Sequence, residues 1–312
     1  MTGWIDLHCD TLTRERNRTA GVPTLDNPAF HLSLSKVPAG TRWVQCFAIF
    51  VPDTYRGQAA VGFFDQYAAS FHAQMEQNKN RAAACTCFSD LENTLAAGKF
   101  AAVLTVEGGA VLAGQLERVE AIRTAGVRML TLTWNGPNEL GSGHDTSAGL
   151  TPFGREAVAE LERQGILVDV SHLNDKGFED LLAVAKRPFV ASHSNARSVC
   201  AHRRNLPDPF IQEMVRRDGL IGLNYSVSFL SSSGGGGLDD LYRHICHFLE
   251  LGAGSCLALG SDYDGTDIHP ELDSVEKCQG IYDYLTSHGI PPETAEGILF
   301  GNAWRFFQKW ML

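Results

Sequence analysis

Residues 4–10 read WIDLHCD, a stretch in which apolar and polar side chains alternate with a period of two. This alternation predicts a β-strand, because every second side chain of a strand lies on the same face. The apolar face carries Ile5, Leu7 and Cys9. The polar face carries Asp6, His8 and Asp10. The polar face belongs either to an edge strand in water or to a functional site.

Seven further runs of strand type follow, and the eight runs span 4–8, 43–50, 101–107, 127–133, 166–172, 188–193, 219–224 and 257–262. Amphipathic helical segments lie between them, among others at 153–164, 175–186, 209–217 and 239–251. This alternation predicts an α/β fold with a parallel sheet. A doubly wound open sheet shares the pattern, but eight strands favour a TIM-like (β/α)8 barrel. Without a repeat or a linker, we expect residues 1–312 to form a single barrel domain.

The composition fits a globular protein, with 44% hydrophobic and 20% charged residues. A net charge of −10 and the absence of a basic run exclude a nucleic-acid surface. No apolar stretch approaches the about 18 residues of a membrane span, and no secretory signal is visible. We therefore expect a cytoplasmic protein with no membrane partner. Its eight cysteines form no CxxC pair, which favours reduced and mostly buried thiols over a disulfide framework.

Metal-binding residue types stand at the ends of several predicted strands. In a barrel the carboxyl ends of the strands form the mouth, where catalytic groups lie. In chain order these ends carry His8, Asp10, Glu107, His172, His193 and Asp262. Each residue alone has an ordinary explanation, such as a chance pair, a capping carboxylate or a structural histidine. Five strand ends that meet at one rim favour a metal site instead.

The spacing of these residues supports that interpretation. His8 and Asp10 are two residues apart on one strand, so both can reach one divalent cation. Glu107 at the barrel mouth can bridge two metal ions. The Ser-His pairs that end in His172 and His193 are 21 residues apart, which matches one strand–helix step with both imidazoles facing inward.

Two further residues are candidates for catalysis and substrate binding. Asp262, at the last strand, is either a metal ligand or a general acid–base group near bound water. The Asp264-Gly265 pair behind it is typical of a turn. Arg204 follows the sixth strand and either binds a substrate carboxylate or forms a solvated surface pair with Arg203.

The remaining histidines give weaker signals. His144 and His202 lie on loops after strands and are candidate substrate contacts. His244 and His247 are predicted to be helix-face residues rather than a zinc pair, because no third ligand is evident. Four histidines have no recognisable constellation: His31, His72, His269 and His288. The Ser- and Gly-rich segment 231–237 is predicted to be a flexible loop, with a mobile active-site lid as the alternative.

Taken in order, the motifs resemble those of the membrane dipeptidase (renal dipeptidase) family of dizinc peptidases. They cover nearly the whole chain and together are highly specific. The matching stretches are DLHCDT at 6–11, TVEGG at 105–109, LTLTWN at 130–135, GLTPFGRE at 149–156, VDVSH at 168–172, ASHSNARSVCAHRRN at 191–205, GSDYDG at 260–265 and GNAWRF at 301–306.

The resemblance implies a ligand set and two further roles. One zinc ion would be held by His8, Asp10 and Glu107, and a second by Glu107, His172 and His193. Asp262 would act near the water, and Arg204 would bind the substrate carboxylate. Members without a signal or an anchor are typically soluble bacterial-type enzymes, and the resemblance suggests a homodimer.

One departure from the family concerns the substrate. Mammalian members have a histidine in an LTHxxxN motif that stabilises the tetrahedral intermediate, whereas this chain has Trp134 followed by Asn135. The indole N–H of Trp134 can donate one hydrogen bond but cannot act as a cation. His144, in the segment that follows, is a second candidate for this role. We therefore expect Trp134, Asn135 and His144 to contact the substrate.

These inferences predict a dipeptidase with two zinc ions, in which a bridging hydroxide attacks the amide bond and Asp262 transfers the proton. Two alternatives remain open. The first is a related dizinc barrel hydrolase of another amide or a lactone, which would not need Arg204. The second is a catalytically silent metal-binding barrel, which is disfavoured because all five ligand residues are present.

Overall fold

Strands and helices alternate along the chain in the computed structural model, which describes residues 3–14 and 24–311. The strands are β1 (Gly3–Cys9), β2 (Arg42–Phe50), β3 (Ala82–Ala84), β4 (Phe100–Glu107), β5 (Val127–Thr131), β6 (Leu167–Asp169), β7 (Val190–Ala191), β8 (Leu220–Leu223) and β9 (Leu257–Leu259). The helices are α1 (Gln58–Gln77), α2 (Phe88–Ala96), α3 (Glu117–Thr124), α4 (Pro152–Gln164), α5 (Asp175–Val184), α6 (Asp208–Arg216), α7 (Val227–Leu230), α8 (Leu238–Glu250), α9 (Cys278–Ser287), α10 (Pro292–Glu296) and α11 (Asn302–Trp310).

Eight of the strands close into a parallel barrel. The ring runs β1-β2-β4-β5-β6-β7-β8-β9, and it closes because β2 pairs with β4 and β9 pairs with β1. The predicted (β/α)8 barrel is therefore confirmed. A ninth strand, β3, runs parallel to the start of β4 and was not predicted.

Five strands are shorter than the sequence pattern predicts, and three of them are shorter by three or more residues. The runs predicted at 166–172, 188–193 and 257–262 are strands only over β6, β7 and β9. The backbone leaves the extended conformation behind β6 and β9, since His172 has φ 69° and Asp262 has φ 62°. These side chains therefore lie on the loops that follow the strands and not on the strands themselves.

Strand β1 contains a bulge that changes its side-chain alternation. Asp6 pairs with Gln45 and Cys9 with Phe47, so three steps along β1 match two along β2. Ile5 and Leu7 belong to an apolar cluster with members from all eight barrel strands, which places them inside the barrel. Strict alternation predicts that Ile5, Leu7 and Cys9 all pack on the surrounding helices, which is right for Cys9, a member of the outer apolar cluster, and wrong for Ile5 and Leu7.

This interior cluster fills the lower barrel, and Phe306 and Phe307 of α11 pack against it. A larger apolar cluster joins the outer faces of the strands to the surrounding helices. All eight cysteines are free thiols and six of them are buried, as expected. Because the lower barrel is filled with apolar side chains, its polar groups are concentrated at the carboxyl ends of the strands.

Candidate metal centre

The barrel mouth brings together the six titratable residues predicted from the strand ends. His8 lies on β1 and Glu107 ends β4, while the others follow β1, β6, β7 and β9 within three residues. All of them are at most 8% exposed: His8, Asp10, Glu107, His172, His193 and Asp262. Three carboxylates and three imidazoles therefore share one largely buried site.

The two oxygens of Glu107 face different groups of nitrogen atoms. Oε2 lies 3.6 Å from Nε2 of His8. Oε1 lies 2.7 Å from Nε2 of His172 and 3.6 Å from Nε2 of His193. On the first side, His8 Nε2 is also 3.6 Å from Oδ2 of Asp10. Glu107 thus stands between two sets of donor atoms.

Hydrogen bonds to Nδ1 orient both histidines of the second set. Asn135 Oδ1 lies 2.8 Å from Nδ1 of His172, and Ser192 Oγ lies 2.7 Å from Nδ1 of His193. The two Nε2 atoms then face each other at 3.0 Å. If both imidazoles carry their proton on Nδ1, two nitrogen lone pairs meet there, and a cation relieves their repulsion.

The donor atoms fit a divalent cation. Two groups each lie within 4.8 Å, namely His8 with Glu107 and His193, and His8 with Asp10 and Asp262. In the described part of the chain, Nε2 of His8 and Oδ1 of Asp10 are buried without a hydrogen-bond partner. Imidazole and carboxylate donors of this kind are typical zinc ligands.

The carboxylates set the electrostatics of the site. Burial alone would lower the pKa of His8, but Asp10 and Glu107 reverse this effect and raise it to about 10. Burial raises the pKa of Asp262 to about 6 and raises that of Glu107 well above its ordinary value. The site therefore attracts positive charge, which a proton on His8 or a metal ion can supply.

A model of the membrane dipeptidase family, peptidase family M19, matches residues 2–310 of the chain. The chain belongs to this family. A protein encoded in the pqqA 5′ region of Klebsiella pneumoniae is 30% identical over 230 residues, which cover 70% of this chain and 85% of that protein.

Two solved structures share the whole fold. Dipeptidase AC, a metallo peptidase of family M19, has a TM-score of 0.94 and 26% identity, and the match covers 100% of this chain and 99% of that chain. A Rhodobacter sphaeroides metallo peptidase, liganded with a phosphinate mimic of the dipeptide L-Ala-D-Ala, has a TM-score of 0.93 and 25% identity over 99% of both chains. The present protein is therefore a metal-dependent hydrolase that acts on dipeptides.

No helix within residues 3–14 and 24–311 of this M19 dipeptidase has the length and apolar character needed to cross a membrane. The carboxyl ends of its strands open instead into a cavity of about 680 Å³ beside the candidate metal ligands. Aromatic side chains form part of the cavity wall, with Phe50 and Trp134 in edge contact at 4.8 Å between ring centroids. Asn135 also lines the cavity, and its Oδ1 is used by His172.

Arg204 of the dipeptidase is 4% exposed, and its guanidinium lies 5.6 Å from the ring centroid of Phe229, which lines the cavity. Its Nη1 donates to Ser194 Oγ at 3.2 Å and its Nη2 to the carbonyl of His193 at 3.0 Å. Its Nε is buried, with no hydrogen-bond partner among the described residues. The alternative of a solvated surface arginine is therefore wrong.

His144 lines the same cavity, and its ring centroid lies 5.8 Å from that of His172. Its side chain is 10% exposed, and Nδ1 lacks a hydrogen-bond partner within the part of the chain that the structure describes. Burial and the nearby Arg204 lower the pKa of His144 to about 4, so the ring is neutral at physiological pH. A neutral imidazole can either donate or accept one hydrogen bond at Nδ1.

Sequence reasoning missed the part that Asp264 plays in the dipeptidase. This residue has φ 68° and was predicted only to form a turn. Its carboxylate accepts hydrogen bonds from Thr11 Oγ1 at 2.6 Å and from the backbone N–H of His31 at 2.8 Å. Asp264 thus ties the loop after β9 to the loop after β1. The signal available in the sequence was the second acid of GSDYDG.

Gly265 is a second residue whose role was missed. A methyl group added there would overlap Oδ2 of Asp10 and Oδ1 of Asp262. Only a residue without a side chain lets the backbone pass so close to the two carboxylates.

The remaining histidines lie outside the cluster. His244 and His247 lie on α8 as predicted, and His244 is fully buried. Its Nδ1 accepts from the backbone N–H of Ala196 at 3.1 Å, and Nε2 lies 3.1 Å from the carbonyl of Leu230. These contacts give His244 a structural role that links α8 to the loop after β7 and to the end of α7.

Proposed function

We propose that this protein is a zinc-dependent dipeptidase with two zinc ions bridged by Glu107. The observation that carries the proposal is the division of the Glu107 carboxylate, whose Oε2 faces His8 and whose Oε1 faces His172 and His193. Asp10 would complete the first set of ligands. Two bound zinc ions would polarise the scissile carbonyl and lower the pKa of a shared water molecule.

Asp262 is the proposed general base. Its Oδ1 lies 3.9 Å from His8 Nε2, and Asn224 Nδ2 donates to its Oδ2 at 3.0 Å. This hydrogen bond holds the carboxylate so that the other oxygen is directed toward the metal ligands. From there Asp262 would take a proton from the attacking water and pass it to the leaving amine.

Arg204 is proposed to bind the C-terminal carboxylate of the dipeptide and so to limit substrate length to two residues. Its guanidinium is already oriented by Ser194 and His193, which lowers the entropy cost of binding. Trp134, Asn135 and His144 line the cavity and are the proposed further contacts to substrate.

The ligand of the Rhodobacter sphaeroides relative indicates which substrate to test first. That enzyme was crystallised with a phosphinate mimic of L-Ala-D-Ala. A phosphinate reproduces the tetrahedral geometry of amide hydrolysis, so the mimic supports the attack of water on a dipeptide amide here as well. We therefore propose small dipeptides, including those with a D-residue at the second position, as substrates.

The experiment that tests the proposal is a substrate panel run on zinc-loaded and chelated enzyme. The panel contains dipeptides, N-acyl amino acids and lactones, and metal content is measured on the same samples. We expect two zinc ions per chain and zinc-dependent cleavage of dipeptides. Cleavage of N-acyl amino acids or lactones without cleavage of dipeptides would support the alternative hydrolase.

The Asp262→Asn variant separates a base from a ligand. We expect it to keep both zinc ions while kcat falls by roughly 10²–10⁴-fold, the range typical of general acid–base groups. Loss of one zinc ion from this variant would instead make Asp262 a ligand and would contradict its role as base.

The family resemblance also leads us to propose a homodimer located in the cytoplasm. Light scattering on the purified protein measures its mass against the 34.0 kDa of one chain. Cell fractionation of the source organism tests the location. A monomeric mass in solution would contradict the proposed dimer.

A further inference from the structure

Behind His193 lies a short hydrogen-bonded chain that the proposed mechanism does not use. Ser192 is fully buried, and its Oγ lies 2.7 Å from His193 Nδ1. The same oxygen lies 2.6 Å from Oδ2 of Asp169, a fully buried carboxylate at the end of β6. Because β6 pairs with β7, the end of one strand stands directly beside the residue that follows the other.

The direction of these hydrogen bonds follows from the partners of Asp169. Its Oδ1 accepts from the backbone N–H groups of Ser192 at 2.8 Å and Ser171 at 3.0 Å. Its Oδ2 accepts from Thr131 Oγ1 at 2.5 Å as well as from Ser192 Oγ. Four donors converge on the two oxygens, which is the pattern of an ionised carboxylate that has no proton to offer.

The short contact of 2.6 Å to Asp169 sets the arrangement of Ser192, since its other possible acceptor, Ser171 Oγ, is 3.4 Å away. The Ser192 hydroxyl has a single proton, and that proton is donated to Asp169. Ser192 Oγ can then only accept from His193, so the proton of the neutral imidazole stands on Nδ1. Nε2, which faces Glu107 and His172, is left with its lone pair free.

We propose that Asp169 is a positioning residue that acts through Ser192 to hold His193 as the Nδ1–H tautomer, with Nε2 ready to bind metal. The inference rests on the metal site of the proposed function. It assigns the control of the His193 tautomer to Asp169, a carboxylate outside the proposed ligand set. Metal-bound histidines commonly donate their second ring N–H to such a partner, whose loss typically weakens metal binding by 10–100-fold.

The decisive variant is Asp169→Asn, which keeps the shape of the side chain but reverses one hydrogen bond. The amide oxygen can still accept from the two backbone N–H groups, so the amide NH₂ takes the place of Oδ2. This NH₂ donates to Ser192 Oγ, and the serine proton turns toward His193. His193 is then driven to carry its proton on Nε2, where it blocks the metal.

Thr131→Val is the matched control, because it removes the other side-chain donor to the same Oδ2 without reversing Ser192. Zinc affinity is measured by competition with a chromophoric chelator, and zinc content by elemental analysis. We expect Asp169→Asn to bind one of its two zinc ions roughly 10–100-fold more weakly, while Thr131→Val stays near the wild type. Equal zinc affinity of Asp169→Asn and the wild type would overturn the proposal.

Nitrogen NMR of the metal-free proteins provides a readout that general destabilisation would not move. We expect the His193 signal to report a proton on Nδ1 in the wild type and on Nε2 in Asp169→Asn. If Asp169→Asn does not fold, Ser192→Ala tests the proposal instead, since it removes the hydrogen-bond acceptor of His193 Nδ1. Zinc binding by Ser192→Ala as tight as in the wild type would then overturn the proposal.

The outcomes also separate this inference from the proposed function. A wild-type enzyme that binds zinc but cleaves no dipeptide would contradict the proposed function. The role of Asp169 would still be tested by the zinc affinities of the variants. A wild-type enzyme that cleaves dipeptides, beside an Asp169→Asn variant of unchanged zinc affinity, would contradict only the role of Asp169.

Discussion

At the scale of single residues, the site consists of buried ionisable groups that compensate for one another's loss of hydration. Glu107 is 3% exposed, and burial raises its pKa well above the ordinary value. Removing one member of such a cluster leaves the others desolvated and unpaired, which is costly. The same cost makes the cluster receptive to metal, because a divalent cation neutralises several carboxylates at once.

Gly265 allows a prediction at this scale. Gly265→Ala should lower zinc content and kcat together, since the new methyl group would push the carboxylates of Asp10 and Asp262 out of place. Elemental analysis and steady-state kinetics on the same preparation measure both. Gly280→Ala is the control, because a methyl group at Gly280 meets no atom within 4 Å. Full activity of Gly265→Ala would show that the two carboxylates have room to move.

At the scale of elements, the sequence predicted the barrel because each buried parallel strand appears as a short apolar run between helical segments. The pattern could not show where a strand ends. Residues on the loops behind β6 and β9 continue the strand-like sequence, although the backbone at His172 and Asp262 is left-handed. It also could not reveal the bulge in β1, which depends on pairing with β2 and shifts the faces of the strand.

The buried contact between α8 and α7 gives a pH-dependent prediction. Burial lowers the pKa of His244 to about 4, against about 6.5 in the unfolded chain. Between these values the unfolded chain binds the proton, so the free energy of unfolding rises with pH in this window and falls as the pH drops toward 4. A shift of this size corresponds to about 3 kcal/mol.

His244→Gln removes this titrating group and, with it, the pH dependence of the free energy of unfolding that His244 causes. Denaturant unfolding of the metal-free proteins at several pH values between about 4.5 and 7 measures it. We expect the variant to be less stable than the wild type at neutral pH and to lose less stability on acidification. Parallel pH profiles for the two proteins would refute a neutral, buried His244.

Two exposed glycines of the helical layer form a matched pair for stability. A methyl group added at Gly280 in α9, or at Gly252 just beyond the end of α8, meets no atom within 4 Å. Gly252 has φ 79°, a conformation that disfavours a side chain. We expect Gly280→Ala to raise the free energy of unfolding by about 0.5–1 kcal/mol and Gly252→Ala to lower it. Thermal unfolding of both variants beside the wild type measures the difference.

At the scale of the whole molecule, the candidate metal site joins strands from all around the barrel. His8 lies on β1 and Glu107 on β4, and the other proposed ligands follow β1, β6 and β7. Any ligand that binds the folded chain but not the unfolded one stabilises the entire fold. The candidate site therefore links metal binding to the stability of the barrel as one unit.

Metal removal tests this link. We expect chelation to lower Tm, and zinc at about 100 times its Kd to restore about 2.7 kcal/mol of stability for each ion bound. If residues 1–312 form a single domain, calorimetry will show one transition both with and without zinc. Two separate transitions, only one of which responds to zinc, would contradict the single-domain prediction.

The positive φ angles at His172, Asp262 and Asp264 have a consequence for the evolution of this chain. A left-handed backbone costs a residue with a Cβ roughly 1–2 kcal/mol, a penalty that glycine does not carry. Selection for activity would thus keep these three residues in place, although glycine would be more favourable for the stability of the backbone there. In a gene copy released from selection for activity, we expect glycine or asparagine to appear early at these three positions, so such replacements would mark the loss of the enzyme before the barrel itself decays.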